Sequence, residues 1–193
     1  MPPKVKLTKE NVLAAALDLV RREGIGALNA RDLAGELNCS TQPIFSNFVS
    51  MSDVRDSVVV AAYELYAKRT AEEMASGEYP PYKASGMAYI RFAKDEPHLF
   101  AAIFMRERRE NAPLELERDP VTETAISALM NCTGLSYDDA CTLHLEMWLF
   151  VHGVASLYVT GFSTPPLDKV SELISDVYHG VVIYRKEKKN END

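Results

Sequence analysis

Two short helix patterns separated by a three-residue turn constrain the fold more than any other feature of the chain. They lie in the segment NARDLAGELNCSTQPIFSNF, residues 29–48. Asn29 is a typical helix N-cap, and apolar residues follow it at helical spacing. Asn38 ends this pattern, because asparagine tolerates the left-handed conformation of a sharp turn. The sequence therefore predicts helices at about 30–37 and 41–47 in helix-turn-helix spacing.

The second of these helices has one face for the core and another for an outside partner. Ser40 or Thr41 caps it, and Pro43 falls in its first turn, where a missing N–H costs little. Ile44 and Phe48 are four residues apart and predict the buried face. The other faces carry Gln42, Phe45, Ser46 and Asn47. Amides and hydroxyls suit base edges and phosphates, so these faces are predicted to meet DNA in the major groove.

Helical periodicity continues along the rest of the chain, without a strand pattern. A first amphipathic helix begins after Thr8 and ends at Gly24. A long helix begins after a cap at Ser50 or Ser52 and ends at about Gly77. Further helices are predicted at about 82–95, from Pro97 onward, and at about 120–132, 136–161 and 167–187. A charged loop is predicted at 106–119 and a disordered tail at about 188–193.

The composition is that of a soluble globular protein, but the charge is unevenly placed. Apolar residues make up 47% and charged residues 25% of the chain, which is enough apolar surface to offset chain entropy. Residues 1–60 hold seven basic and seven acidic residues, so the rest of the chain carries the whole net charge of −7. A polyanion is therefore expected to meet the N-terminal third, where Lys4, Lys6 and Lys9 lie.

The residues needed for metal binding or catalysis are not found at useful spacing. Cys39, Cys132 and Cys141 are too few and too scattered for a disulfide framework or a zinc site, so reduced thiols are expected. His144 and His152 are about two helical turns apart, too far for a shared metal without other ligands. We find no nucleophile motif, paired carboxylates or Gly-rich phosphate loop. The sequence predicts no enzyme, no cofactor and no metal.

One apolar stretch is close to the length of a membrane span. No charged residue occurs between Glu146 and Asp168. The stretch nevertheless contains several Ser, Thr and Gly residues and ends in Pro165 and Pro166, which favours a helix buried on most sides in a bundle. The N-terminus lacks the apolar core of a signal peptide. The chain is therefore expected to be cytoplasmic, without a membrane partner.

From about residue 8 to 60 the chain resembles the TetR-type transcriptional regulators. The resemblance covers the first helix, the segment ALNARDLAGELNCSTQPIFSNFVSMSDV and the long helix after it. It implies an all-α fold, with a three-helix DNA-binding domain at 1–50 joined by a long helix to a helical ligand-binding and dimerisation domain at 51–193. The residues expected to contact DNA are Lys4, Lys6, Asn29, Arg31, Ser40, Thr41, Gln42, Phe45, Ser46, Asn47 and Ser50.

The segment departs from the usual pattern of these regulators. They usually carry Thr or Ser where Asn29 stands, Gly where Asn38 stands and Tyr where Phe45 stands. His is often found in place of Asn47, and Lys in place of Met51. Loss of the tyrosine hydroxyl and of the lysine removes two common phosphate contacts. These are then expected from Lys4, Lys6, Lys9, Arg31 and the start of the helix after Ser50.

The C-terminal half resembles a subgroup of these regulators that bears a Trp-x-x-x-His-Gly (WHG) signature, here Trp148, His152 and Gly153. This resemblance implies a ligand-binding and dimerisation domain over about 80–187. Small and apolar residues on the last two helices fit a two-fold, four-helix interface. Such a homodimer would present two recognition helices to a pseudo-palindromic site, about one turn of DNA apart or a little more.

A pocket for a small-molecule effector is also predicted in the C-terminal domain. Apolar aromatic walls with a few polar groups are typical of such sites. The candidate lining residues are Tyr66, Tyr89, Phe92, Phe100, Phe104, Met105, Met130, Trp148 and His152. For any one of them, ordinary core packing is the favoured interpretation. The residue types point to an apolar or aromatic effector.

Three functions compete on this evidence. The leading hypothesis is a homodimeric, ligand-responsive repressor whose effector shifts the spacing of the recognition helices. The second is a helical interaction protein with a degenerate helix-turn-helix, which Phe45, Met51 and the uncharged balance of the first sixty residues favour. An enzyme is the third, and no motif supports it. Replacing Gln42 and Asn47 by Ala should abolish sequence preference under the first hypothesis alone.

Overall fold

The computed structural model describes residues 7–106 and 119–190, and within these ranges the chain forms helices and turns without a strand. The predicted all-α fold is confirmed. Residues 1–6 and 191–193 lie outside the described residues. So does nearly all of the predicted charged loop, of which only Arg106 and Asp119 are described.

The described residues form nine α-helices and one short 3-10 helix. The α-helices are α1 (Lys9–Glu23), α2 (Ala30–Glu36), α3 (Gln42–Asn47), α4 (Met51–Ala75), α5 (Pro81–Asp95), α6 (Pro97–Phe104), α7 (Pro120–Thr133), α8 (Tyr137–Thr160) and α9 (Leu167–Asn190). The 3-10 helix, Ile25–Ala27, was not predicted, because three residues are too few to show a period.

Most helix ends follow the capping residues named from the sequence. The Thr8 hydroxyl accepts a hydrogen bond from the Asn11 N–H (3.3 Å), and Gly24 ends α1 with a φ of 85°. The Ser50 hydroxyl accepts from the Asp53 N–H (3.2 Å) at the start of α4. The end of α9 was predicted wrongly. This helix continues to Asn190, past the predicted end at 187, because Lys and Glu are good helix formers.

The chain divides into two compact units. The first comprises residues 1–65 and 96–107, and the second comprises residues 66–95 and 108–193. The first half of α4 and the whole of α6 therefore belong to the first unit. A functional boundary at residue 50 stays a prediction.

In the first unit, α1 packs against α2, α3 and α6. Val12, Ala16 and Leu19 form its buried face, as the helical spacing predicts. A polar contact fixes α1 to the start of α6, where the Arg21 Nε donates to the buried Glu96 carboxylate at 2.9 Å. This packing holds α2 and α3 in fixed positions against α1.

In the second unit, α5 packs against α7, α8 and α9. Its buried face includes Met87, Ile90 and Phe92. Gly86 allows a close approach to α8, since a Cβ placed there would lie 3.5 Å from the Val151 Cγ1. Helix α5 is therefore the centre of this unit.

Helix α8 is long and apolar enough to cross a membrane by length and composition alone. Within its unit it packs on α5, α7 and α9, as the core helix of a bundle does. Only 28% of its most apolar 18-residue window is buried, however. The expectation of burial on most sides is therefore wrong for the single chain, and part of its apolar surface is uncovered.

Candidate nucleic-acid interface

The helix-turn-helix is built from α2, a turn and α3. Asn38 in the turn has a φ of 49°, the left-handed conformation predicted for it. The Cys39 N–H donates to the Ala34 carbonyl (3.0 Å) and closes the end of α2. Thr41 is the N-cap of α3 without a side-chain hydrogen bond, and Pro43 lies in the first turn. The left-handed Asn38 and the place of Pro43 are confirmed, whereas the side-chain cap predicted at Ser40 or Thr41 is not formed.

Helix α3 is anchored by one face and presents the others to solvent. Ile44 and Phe48 are buried, as their four-residue spacing predicts. Gln42, Phe45 and Ser46 are exposed, with Phe45 48% exposed. An aromatic side chain that lies half in water on a short helix is available to a partner. The orientation required for a recognition helix is therefore present.

The polar side chains of α3 differ in what they already bind. The Ser46 hydroxyl donates to the Gln42 carbonyl at 3.0 Å. The half-buried Asn47 amide donates twice, to the Leu7 carbonyl (3.1 Å) and to the Pro43 carbonyl (2.8 Å). The Gln42 amide makes no hydrogen bond with any described residue. Sequence reasoning missed this difference, because Leu7 and Asn47 are 40 residues apart.

The other residues expected to contact DNA lie around the same helices. Asn29 caps α2, accepting from the Arg31 N–H (3.0 Å) and the Asp32 N–H (3.1 Å), and its amide donates to the Asp32 carboxylate at 2.6 Å. Its side chain is thus engaged within the helix start. Arg31, Ser40 and Thr41 are exposed and Ser50 is half-buried, whereas Lys4 and Lys6 lie outside the described residues.

One positive charge lies directly beside the recognition helix. The Lys9 Nζ is 4.9 Å from the centre of the Phe48 ring, and Lys9 is otherwise exposed. Ammonium groups over aromatic faces are held electrostatically. This contact places a cation at the start of α1 next to the end of α3.

In the second unit, aromatic side chains predicted to line a pocket meet one another. The Tyr66 ring packs edge-on against Tyr89 (5.9 Å) and Phe92 (5.5 Å). The Tyr89 hydroxyl and the His152 Nδ1 are hydrogen bonded at 2.8 Å. Trp148 stacks on His152 at 4.9 Å between ring centres. These five candidates form one aromatic cluster on α4, α5 and α8.

The remaining pocket candidates are not part of this cluster. The rings of Phe100 and Phe104 pack on each other at 4.9 Å within the first unit, and Met105 follows them there with 41% of its surface exposed. Met130 is half-buried on α7. Periodicity alone could not assign these residues to a unit, because the chain crosses between the units more than once.

Burial keeps the aromatic cluster uncharged. Desolvation raises the pKa of the Tyr66 and Tyr89 hydroxyls and lowers the pKa of His152. Thr70, one turn after Tyr66 on α4, is buried; its hydroxyl counteracts part of the rise in the Tyr66 pKa but forms no hydrogen bond of good geometry with the described residues. Thr70 was not among the predicted residues, because nothing in the sequence marks such a hydroxyl. The cluster therefore provides a neutral, largely apolar environment that contains the Thr70 hydroxyl.

Two further polar contacts in this unit join α5 to α8 and α7 to α9. The Tyr82 hydroxyl and the His144 Nδ1 lie 3.2 Å apart, and the Cys132 Sγ lies 3.5 Å from the Tyr178 hydroxyl. Burial lowers the pKa of His144 to about 4, so this imidazole is neutral near pH 7. Among the described residues, no three His, Cys, Asp or Glu side chains are placed to hold a metal ion.

The second unit also leaves an apolar face uncovered, which we call the α8/α9 face. Arg185 near the end of α9 pairs with Glu146 near the start of α8 (2.6 Å), so these two helices run antiparallel. The exposed residues of the α8/α9 face are Leu149, Gly153, Leu173, Gly180, Ile183 and Tyr184. A Cβ added at Gly153 or Gly180 would meet nothing within 4 Å. Another helix has room to lie against this face.

Comparison with known proteins agrees with the helix-turn-helix. Residues 82–177 match the family model described as "Tetracyclin repressor-like, C-terminal domain". An uncharacterised HTH-type transcriptional regulator of Mycobacterium tuberculosis, Rv0681, is 23% identical over 159 residues, which cover 81% of this chain and 72% of that protein.

One solved structure shares the fold, and a second was compared. A protein of unknown function from Rhodococcus sp. RHA1 has a TM-score of 0.66 and 21% identity, over 92% of this chain and 96% of that chain. The TetR family repressor AlkX from Dietzia sp., implicated in biodegradation of n-alkanes, has a TM-score of 0.43 and 15% identity, over 96% and 98%. The likeness in fold rests on the Rhodococcus structure.

The motif and the comparisons define a helix-turn-helix protein that binds DNA. The chain is a TetR-type transcriptional regulator. The family resemblance read from residues 8–60 is thereby confirmed. The finer resemblance to the WHG subgroup stays a prediction.

Proposed function

We propose that this regulator is a homodimeric repressor that binds a pseudo-palindromic operator and responds to a small-molecule effector. The observation that carries the proposal is the orientation of α3. Its buried Ile44 and Phe48 fix the helix, while Gln42 and Phe45 face the solvent. Such a face can enter a major groove without rearrangement of the helix that carries it.

The α8/α9 face supports the homodimer. Four large apolar side chains on two neighbouring helices are more than a third exposed, and two glycines leave room between them. Contiguous exposed apolar surface on a soluble chain marks an interaction site. Two helices from each protomer would form a four-helix interface with two-fold symmetry. The same symmetry would present two copies of α3 to the two halves of an operator.

The aromatic cluster supports an effector site in the second unit. Tyr66, Tyr89, Phe92, Trp148 and His152 provide largely aromatic walls, and Thr70 adds a buried hydroxyl without a hydrogen bond of good geometry to the described residues. A buried hydroxyl can donate to or accept from a polar group of a bound molecule. We propose an uncharged aromatic or apolar effector whose binding changes the spacing of the two recognition helices.

The DNA-binding proposal is tested by fluorescence anisotropy on the duplex upstream of the protein's own coding region. We expect binding that is tighter than to a scrambled duplex of equal length and that weakens as salt rises. The control protein is Gln42→Ala, which should lose the preference for the upstream duplex. Equal affinity for both duplexes, or no binding to either, would refute the proposal.

A helical interaction protein with a degenerate helix-turn-helix is the second candidate, because an exposed Phe45 also suits a protein partner. Under that hypothesis the Gln42→Ala replacement changes nothing. We propose no enzymatic activity, and a turnover or bound metal in the purified protein would contradict this. We propose a cytoplasmic location without a membrane role, because the proposed partner is DNA.

A further inference from the structure

We infer that Asn47 positions the recognition helix and does not read bases, and that base reading by α3 falls to Gln42 and Phe45. The inference rests on the proposed DNA-binding function and assigns separate tasks to its residues. It differs from the expectation drawn from the sequence, in which Gln42 and Asn47 read the operator together.

The Asn47 amide is already used. An asparagine that reads adenine must offer one N–H to N7 and its oxygen to N6. Both N–H groups of Asn47 are given to backbone carbonyls, at 3.1 Å to Leu7 and at 2.8 Å to Pro43. The residue is also half-buried, so turning toward a groove would leave the Leu7 carbonyl without this donor.

The two hydrogen bonds tie distant parts of the first unit together. Leu7 immediately precedes Thr8, the N-cap of α1, and Pro43 lies in α3 itself. Asn47 therefore joins the entry of α1 to the last turn of α3. The Lys9 ammonium over the Phe48 ring reinforces the same junction. These contacts fix the angle between α3 and α1. Because they lie within the protein, they act in the same way whichever DNA sequence is bound.

Gln42 and Phe45 have the freedom that Asn47 lacks. The Gln42 amide is exposed and has no hydrogen-bond partner among the described residues, and glutamine pairs bidentately with adenine. Phe45 is three residues later on the same side of α3 and is 48% exposed. Apolar side chains in the major groove contact the thymine methyl. We therefore expect each half-site to contain neighbouring A·T pairs read by these two residues.

The experiment selects duplexes from a randomised double-stranded library with the full-length protein, then measures affinity for single-base variants of the enriched motif. Gln42→Ala should lose discrimination at one adenine per half-site by roughly ten- to a hundredfold. Asn47→Ala should keep every base preference and bind all variants roughly tenfold more weakly. Asn47→His, which keeps an N–H donor, should recover part of this affinity.

A matched control distinguishes the effect of losing the Asn47 hydrogen bonds from the effect of losing any side-chain hydrogen bond to a backbone carbonyl. Thr124 in the second unit also donates to a backbone carbonyl, that of Pro120 at 2.7 Å, and is exposed. Thr124→Ala should leave both affinity and preference unchanged. Stoichiometric titration checks that Asn47→Ala remains fully active, so that a lower affinity is not a lower active fraction.

A changed preference at any base in Asn47→Ala, or an unchanged one in Gln42→Ala, would overturn the inference. If Asn47→Ala does not fold, NMR of the wild-type protein on the motif decides. If the Asn47 side-chain amide signals keep their chemical shifts when DNA binds, the hydrogen bonds to Leu7 and Pro43 are retained and the inference is supported. Contacts from these amide protons to base protons would overturn it. If the wild-type protein enriches no motif, the proposed DNA-binding function itself fails, and the inference falls with it.

Discussion

The two units of the chain expose opposite kinds of surface. In the first unit, α3 buries its apolar residues and leaves amides, a hydroxyl and one aromatic ring outside. In the second unit, Tyr66, Tyr89 and Thr70 are buried, whereas Leu149, Leu173, Ile183 and Tyr184 are exposed. Each unit therefore lacks a different partner.

This contrast supports the two partners proposed above. An exposed polar helix beside a lysine fits a polar, negatively charged duplex, which does not need a large apolar contact. An uncovered apolar face on two antiparallel helices fits another copy of the same face, since a two-fold interface is self-complementary. The overall charge of −7 does not argue against DNA, because residues 1–60 are balanced.

The largest effect is expected when the apolar face is broken. Leu149→Glu places a carboxylate on the α8/α9 face, where two copies would meet near a two-fold axis. Burying an unpaired charge costs about 3 kcal/mol or more, so the dimer should weaken by at least roughly a hundredfold. Sedimentation velocity measures the change. The matched control is Phe162→Ser, because Phe162 is 84% exposed and lies in the turn between α8 and α9. A dimer that survives Leu149→Glu would place the interface elsewhere.

The half-buried imidazole of His144 should make the stability of the protein depend on pH. The pKa of His144 is about 4 in the folded protein and about 6.5 when unfolded, so below pH 6.5 the unfolded chain takes up the proton first. Stability from this residue is complete at neutral pH and falls with pH until about pH 4. The loss between about pH 7 and pH 5 is about 2 kcal/mol.

Urea unfolding at one protein concentration checks this dependence. His144→Gln keeps a group that can hydrogen bond to Tyr82 but does not titrate. Its stability should fall less on acidification than that of the wild-type protein, by about the same 2 kcal/mol. Equal losses in the two proteins would show that His144 is not held neutral by burial.

A smaller effect is expected at the Thr70 hydroxyl. Thr70→Val keeps the shape of the side chain and removes a buried hydroxyl without a hydrogen bond of good geometry to the described residues. The ligand-free protein should become more stable by about 1 kcal/mol. Thermal unfolding of protein freed of bound molecules measures this. A destabilised Thr70→Val would mean that the hydroxyl is satisfied in solution.

The smallest effect concerns the phosphate contacts that this chain lacks. Met51→Lys places an ammonium at the start of α4, where related regulators frequently carry a lysine, and leaves the proposed base-reading residues of α3 unchanged. We expect tighter binding to all duplexes, by roughly fivefold, and a steeper dependence on salt by about one phosphate contact. Anisotropy titrations at several salt concentrations give both values. An unchanged salt slope would show that the new lysine does not reach the backbone.

Local chemistry made much of the fold predictable from the sequence. Caps such as Thr8 and Ser50, the left-handed Asn38 and the spacing of Ile44 and Phe48 depend on neighbours within a few residues, and the structure confirms each. The end of α9 was misplaced, since charged composition alone does not stop a helix.

The candidate sites were less predictable because they depend on contacts between distant residues. Nothing local distinguishes the Gln42 amide, which has no hydrogen bond within the described part of the chain, from the Asn47 amide, whose partner Leu7 is 40 residues away. Likewise, Phe100 and Tyr66 share an aromatic character but belong to different units. A pattern of residue types cannot show which hydrogen-bonding groups are already satisfied.

The central claim is that α3 reads DNA as one of a pair related by two-fold symmetry. The direct measurement is the affinity of the wild-type protein for its selected inverted repeat and for the same repeat with about half a turn, roughly 5 base pairs, inserted at the centre. The account predicts that the insertion lowers the affinity by roughly a hundredfold, because the half-sites then face opposite sides of the duplex. Equal affinity for the two duplexes would contradict it.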